Sequence, residues 1–337
     1  MVFMTRRLAE VAHKVGVSEA TVSRVLNGKP GVSDATRTAV LSAVDVMGYE
    51  RPTQLRGDRA RLVGLVLPEL QNPIFPAFAE VVAAGVVQRG LTPVLCISSS
   101  AGMSEPAYVQ MLLQQQVSAV VFFGGAQAEA DTPHEHFRQL HERGIPVVLV
   151  NAAVEGLGFP TVSTDDTVAV ELAFAHLRSL GHEQLGLVLG PPDHVPSRRK
   201  GQAFSRLMAE AGLDVRGAVE HTIFTLEGGQ RAATTLLERG ITGALFASDV
   251  LALGGIKAAR RLGLTVPRDF SVVGFDDSPF MNSADPPLST IRQPIEAMGR
   301  AAVTLLVAQM QGAMPAAQEL LFEPELVVRA STGAVRP

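Results

Sequence analysis

The chain is poor in the features that signal cross-linking, export or catalysis. Cys96 is the one cysteine in 337 residues, so no intrachain disulfide framework can form. It sits in the apolar run "TPVLCISSS", where a buried small hydrophobe is expected rather than a reactive thiol, and a reducing compartment fits that usage. Long apolar runs are missing too: no stretch approaches the ~18 consecutive apolar residues of a spanning helix. The opening "MVFMTRRLAEVAHKVG" has neither the apolar h-region nor the cleavage site of a secretory signal. A cytoplasmic location without membrane attachment is the expectation. There is no G-x-G-x-x-G and no G-x-S-x-G, and Gly28-Lys29 is followed by Pro30 instead of completing a phosphate loop. "HEH" at 134–136 has no further ligand cluster, so surface exposure is expected there and not zinc. No catalytic residue, metal or cofactor is assigned, and an enzyme is not expected.

What is present describes a soluble globular protein of more than one core. Hydrophobic residues make up 47% and charged residues 18%, and the length exceeds the usual span of a single core. The net charge of −4 is unevenly spread. Residues 1–61 hold ten Lys and Arg against six Asp and Glu, a net of +4, which leaves a net of −8 for the remainder. A small basic head on a larger acidic body points the head toward a polyanion.

The head reads as three short helices. Leu8, Val11, Ala12 and Val15 lie at helical spacing, and Gly16 then supplies a left-handed turn. Ser18 is placed to cap a second helix with Val22, Val25 and Leu26 inside. Ser33 caps a third that buries Ala39, Val40, Val44 and Met47 and stops at Gly48. Two helices joined by a tight glycine turn make a helix-turn-helix. Ala20, Ser23, Arg24 and Asn27 share the face opposite Val22, a small, polar and singly basic surface that allows close approach to a duplex. Arg24 can give guanine O6 and N7 a bidentate hydrogen bond, and Thr21, Ser23 and Asn27 suit phosphate oxygens. "ERPTQLRGDRAR", residues 50–61, reads as a linker.

From "LVGLVLP" onward, short apolar runs trade places with amphipathic stretches: "PVLCIS", "AVVFF", "PVVLV", "QLGLVLG", "VEHTIF", "GALFAS" and "FSVVGFD". That alternation predicts an α/β body with parallel sheets, and its length suggests two sheets with a ligand cleft between them. Asp276 in "GFDD" follows a strand, at the end where such sheets bind ligands, and its carboxylate suits two neighbouring hydroxyls. Asp277 reads as a turn-former.

"LAEVAHKVGVSEATVSRVLNG", followed by "VSDATRTAVLSAVDVMGY", resembles the head of the lactose-repressor (LacI/GalR) family of bacterial transcriptional regulators. "NPIFPAF", "VSTDDTVAVELAFAHLRSLGH", "FASDVLALGGIKAARRLGLTVPRDFSVVGFDD" and "PPLSTIRQP" extend the likeness, in order, through the body. The resemblance implies a helix-turn-helix head (1–49), a hinge (50–61) and a two-lobed, periplasmic-binding-protein-like core (62–337). Lobe one would take about 62–160 and 290–320, and lobe two about 161–289. It implies a homodimer on double-stranded operator DNA, expected to repress, with a sugar or sugar phosphate in the cleft controlling affinity. No heptads follow Arg329, so a dimer is expected and not a tetramer.

Site residues carry over position by position. Glu19 and Ala20 join Arg24 at base-facing positions, although Glu19 equally suits charge compensation at a helix N-terminus. Ser33 and Tyr49 match phosphate contacts, with capping the competing role for Ser33. The linker departs from the usual Pro-Asn, Ala-Arg-x-Leu pattern: Pro52 is followed by Thr53, Gln54 and Leu55, and the segment is a few residues short. Leu55 is either a minor-groove wedge or an interdomain packing residue. In the cleft, Phe75 and Phe224 match aromatics from the two lobes, with plain core packing the alternative for both. Gln293 matches a residue on a crossover strand. Ser248 stands where an asparagine is usual, and Lys200 where an arginine is common, with Arg199 beside it as the other candidate. A non-sugar metabolite, or no small effector, is the alternative within the family. A transport-type binding protein or an enzyme fits less well.

Overall fold

The computed structural model describes residues 10–26, 29, 31–46, 61–98, 102–313 and 316–335. Leu8, Asn27, Met47, Gly48, Tyr49 and Leu55 lie outside them, as does the rest of the 50–60 stretch. The chain forms two compact units, Met1–Arg61 and Leu62–Pro337.

In the first unit, residues 10–15 are helical (α1), α2 spans Glu19–Leu26 and α3 spans Asp34–Val46. Gly16 adopts φ +71°, and Val17 N–H donates to the Ala12 carbonyl across the turn (3.0 Å). Ser18 Oγ accepts from Thr21 N–H (3.1 Å) and Ser33 Oγ from Thr36 N–H (3.3 Å), so each serine caps the helix it precedes. Val11, Ala12, Val22, Val25, Val40 and Ala43 form the core. Ala39, expected inside, is exposed. Val40 and Ala43 mark the buried line of α3, and Ala39 lies at the edge of that face.

The second unit opens with β1 (Leu62–Leu67), α4 (Ile74–Val87), β2 (Thr92–Ile97), α5 (Glu105–Gln114), β3 (Ala119–Phe123), α6 (Glu135–Glu142), β4 (Val147–Val150) and β5 (Thr161–Thr164). Next come α7 (Asp166–Ser179), β6 (Leu185–Leu189), α8 (Val195–Glu210), β7 (Val219–His221), α9 (Leu226–Glu238), β8 (Gly243–Phe246), α10 (Asp249–Arg261), β9 (Ser271–Asp276) and β10 (Ser289–Arg292). α11 (Ile295–Met310), β11 (Glu319–Phe322) and β12 (Glu325–Val327) complete it. Central strands such as "AVVFF" and "VVLV" are buried throughout, as strands covered by helices on both faces must be.

Two six-stranded sheets result, ordered β2-β1-β3-β4-β5-β11 and β7-β6-β8-β9-β10-β12. Every pairing is parallel except β10 with β12. The lobe boundaries differ from the expected ones. β5 pairs into the first sheet through Leu149↔Thr161, whereas β10 and β12 belong to the second. The chain therefore crosses between lobes after Thr164, after Arg292 and after Phe322. "TVST" and "STIR" are short and have one apolar residue each, so nothing in their composition says which ladder will take them.

Candidate functional site

The two sheets aim the C-terminal ends of their strands at one cavity of about 610 Å³, within the ~300–1,000 Å³ usual for small-molecule sites. Phe75, Lys200, Phe224, Ser248, Asp276 and Gln293 all line it. The loop after β1 adds Asn72, the end of β4 leads to Asn151 and Ala152, and β5 supplies Ser163 and Thr164.

Backbone strain is concentrated here. Asn151 (φ +62°), Ala152 (φ +69°) and Asp276 (φ +124°) hold positive φ without being glycine, and Asp277 (φ +57°) follows directly. Such conformations cost of order 1–3 kcal/mol each and persist where surrounding contacts enforce them. At Asp276 those contacts are visible: Gln293 Nε2 donates to Oδ1 (2.7 Å) and Asn72 Nδ2 to Oδ2 (3.3 Å). Gln293 Oε1 in turn accepts from Asn151 Nδ2 (3.0 Å) and the Thr164 hydroxyl (2.8 Å). Asp276 thus lies at the centre of a polar relay joining both lobes. Burial, with the charge of Asp249 second, pushes its carboxyl well above the usual range.

Asp249 is fully buried, accepting from Ser278 N–H (2.7 Å) and the Thr290 hydroxyl (2.6 Å); burial raises its carboxyl to about 6 against those hydrogen bonds. Ser248 Oγ accepts from Leu251 N–H (3.2 Å), so it caps α10. Asp277 accepts from Arg292 (2.7 Å) and Arg329 (2.6 Å), which makes it a structural turn residue.

Lys200, not Arg199, faces the cavity. Its ammonium pairs with Asp166, the first residue of α7, and lies 4.0 Å from the centroid of the Phe275 ring. Arg199 turns the other way and forks onto Glu319 of the first lobe's β11 (2.8 and 2.7 Å). Phe224 packs edge-on against His194 (centroids 5.5 Å apart), and a Cβ on Gly190 would collide with the Phe224 ring. Burial, then the Lys200 charge, pushes the His194 imidazole down to about 4, so it is neutral. Phe75 sits in the first turn of α4 beside Gly124, whose φ of +69° and missing side chain let the ring approach.

In the head, Glu19, Ala20 and Arg24 are exposed on α2, while Val22 and Val25 are fully buried beneath them. Thr21 and Ser23 are half-buried, and the Thr21 hydroxyl is bonded to that of Ser18 (2.9 Å). Ser33 is exposed at the start of α3, its hydroxyl bonded to that of Thr36 (2.8 Å). The expected phosphate contacts Asn27 and Tyr49, and Leu55 of the linker, fall outside the described residues.

His136 of the "HEH" run is buried and bonds Glu105 at 2.7 Å, where surface exposure was expected; the ring packs on Phe137, 4.2 Å between centroids. Cys96 is fully buried, its thiol pushed up to about 11 by burial. Sequence reasoning missed Asn72, Asn151 and Thr164. Asn72 left one signal, an Asn-Pro pair before an apolar helix, which reads as a turn into the helix: its Oδ1 accepts from Ile74 N–H (3.3 Å).

A basic, small-faced helix-turn-helix together with a two-lobed α/β body with a cleft is the combination a DNA-binding regulator would have. Residues 7–52 match the model of bacterial regulatory proteins of the lacI family, and residues 174–332 that of a periplasmic binding protein-like domain. The HTH-type transcriptional regulator reg1 of Streptomyces lividans is 49% identical over 337 residues, 98% of each chain. A solved complex of the transcriptional regulator CelR with cellobiose superposes with TM-score 0.73 at 30% identity, over 96% of this chain and 99% of that one. The Lac repressor dimer bound to operator and the anti-inducer ONPF gives TM-score 0.75 at 27% identity, over 96% and 98%. The chain belongs to the lacI family of DNA-binding transcriptional regulators. MalR of Streptomyces coelicolor, 47% identical over 98% of each chain, is likewise an HTH-type transcriptional regulator. Among the described residues no helix is long and apolar enough to cross a membrane.

Proposed function

We propose that this protein is a dimeric repressor whose operator affinity is set by a small carbohydrate in the interlobe cleft. The observation that carries the reading is the convergence at one cavity of two phenylalanines, one from each lobe, with a buried carboxylate and several neutral hydrogen-bonding side chains. Aromatic faces suit the apolar side of a sugar ring, and Asp276, Gln293 and Asn151 suit its hydroxyls. The CelR structure holds cellobiose, which supports the ligand class. Arg24 reads a guanine in each half-site, with Ala20 and Glu19 beside it at base edges, while Thr21, Ser23, Asn27, Ser33 and Tyr49 position the head on phosphates. Leu55 serves the linker as a minor-groove wedge. Self-association draws on exposed apolar side chains such as Val87, Leu95, Ile223 and Phe280, and the Lac repressor was solved as a dimer on its operator.

The test is a melting-temperature titration with a sugar panel, followed by operator binding with each sugar that shifts the melt. A ligand specific to the folded state adds RT ln(1+[L]/Kd) of stability. The same sugar is expected to lower operator affinity in the native protein. A sugar that stabilises the protein and strengthens operator binding would make it a corepressor and overturn the release model. No response to any sugar would return the family's alternative, a regulator of non-sugar or effector-independent type.

A further inference from the structure

We infer that the cleft selects uncharged polyhydroxy ligands and turns away phosphorylated and other anionic ones; this rests on the reading of the cleft as the effector site. Among the described residues lining it, Lys200 is the one permanently cationic side chain. Its charge is already spent: the ammonium pairs with Asp166, both side chains are nearly inaccessible (4% and 6% exposed), and the ring of Phe275 lies against it. A phosphate reaching for Lys200 would strip a buried carboxylate of its counter-charge, and leaving one partner of a buried ion pair alone is strongly destabilising.

Among the described residues lining the cavity, no second permanently cationic side chain stands ready. The guanidinium of Arg199, next in sequence, forks onto Glu319 and is held away from the cavity. His194 does line the cavity, but burial and the neighbouring ammonium keep its ring neutral. The wall instead carries the acids Glu69, Glu129 and Asp276.

Two of the helix N-termini beside the cavity, those of α7 and α10, are also answered from within the chain, where elsewhere such ends capture phosphate. α7 is capped by the Asp165 carboxylate, which accepts from Thr167 and Val168 N–H (3.0 and 3.1 Å), and begins with Asp166. α10 is capped by Ser248 and begins with the buried Asp249. A neutral polyol meets none of these penalties. Its hydroxyls can donate to Asp276 and to the carbonyl oxygen of Asn151, and can accept from the second amide hydrogens of Asn151 and Gln293.

The experiment compares twin probes that differ only by a phosphate: cellobiose, maltose, trehalose and glucose, each against its 6-phosphate, titrated calorimetrically into the full chain at constant ionic strength. At least one neutral sugar is expected to bind, with its phosphorylated twin at least ten-fold weaker. A phosphorylated twin that binds as tightly as, or more tightly than, its parent overturns the charge selection and leaves the carbohydrate reading intact. Failure of every neutral and phosphorylated probe overturns the carbohydrate reading itself, and the inference with it. Asp166→Asn, which removes the internal partner of Lys200, is expected to narrow the gap between twins. In a variant whose circular dichroism is native, an unchanged gap would show that the paired lysine is not what excludes the anion.

Discussion

Asn72 donates its side-chain amide to Asp276 at 3.3 Å, linking the loop after β1 to the end of β9. The same asparagine accepts from the N–H of Ile74, the first residue of α4, the helix that carries Phe75. A ligand hydroxyl that takes Asp276 competes with an amide on the opposite lobe, and the competition is felt where the first-lobe helix starts. On the proposed reading of the cleft as an effector site, this is a direct route from cleft occupancy to lobe arrangement.

Asp276→Ala is expected to abolish the effector response while leaving operator binding without effector within about two-fold, a few tenths of a kcal/mol. Sugar titration of a fluorescent operator complex measures both. An unchanged response would remove Asp276 from ligand recognition.

Arg24→Ala is expected to cost roughly 1–3 kcal/mol on the operator and to relax the preference at one base pair per half-site. The side chain is exposed on α2 above the buried Val22 and Val25, so its loss leaves the head folded. Competition binding on operator and random DNA decides: equal losses on both would show that Arg24 reads no base.

Gly190→Ala is expected to displace Phe224, because the added Cβ meets that ring and also comes within 3.0 Å of Ser197 Oγ. Overpacking of this kind costs about 1–3 kcal/mol, and effector affinity should fall with the loss of the aromatic wall. Denaturation and sugar titration on the same variant give both numbers. Native ligand affinity in the variant would show that Phe224 makes no ligand contact.

The neutral His194 predicts an acid-sensitive receptor. Its folded value of about 4 lies below the unfolded value near 6.5, so the unfolded chain takes up the proton first. Its contribution is complete above pH 6.5 and is lost as pH falls toward 4, on the order of 2 kcal/mol across that window. Urea denaturation at pH 7 and pH 4.5 should therefore show native protein losing about 2 kcal/mol more than His194→Gln. Equal losses would mean that the imidazole titrates as it does in water.

The alternating architecture was legible because its central strands are unbroken apolar runs, and the exposed face of α2 because a 100° period sets Arg24 opposite Val22. The gathering of Phe75, Phe224 and Asp276 at one cavity followed from strand ends and from the family likeness. Other features depend on contacts far apart in sequence. Lys200 meets Asp166 across 34 residues and Asn72 meets Asp276 across 204, and no local pattern announces either pair. β5, β10, β11 and β12 are strands of three or four residues whose membership in a sheet is set by the ladder they join. His136 looked like surface because it stands among polar neighbours. Buried against Phe137, its ring nitrogen is satisfied by the Glu105 carboxylate on α5, 31 residues earlier.

The central claim is that occupancy of the cleft governs a base-specific contact made by α2. Footprinting the organism's own promoter regions with the native protein, at low salt and then with neutral sugars added, tests it most directly. The account predicts a protected, roughly symmetric site that Arg24→Ala fails to protect and that a neutral sugar releases in native protein but not in Asp276→Ala. Absence of any protected site, or one whose protection no cleft variant and no sugar alters, would contradict it.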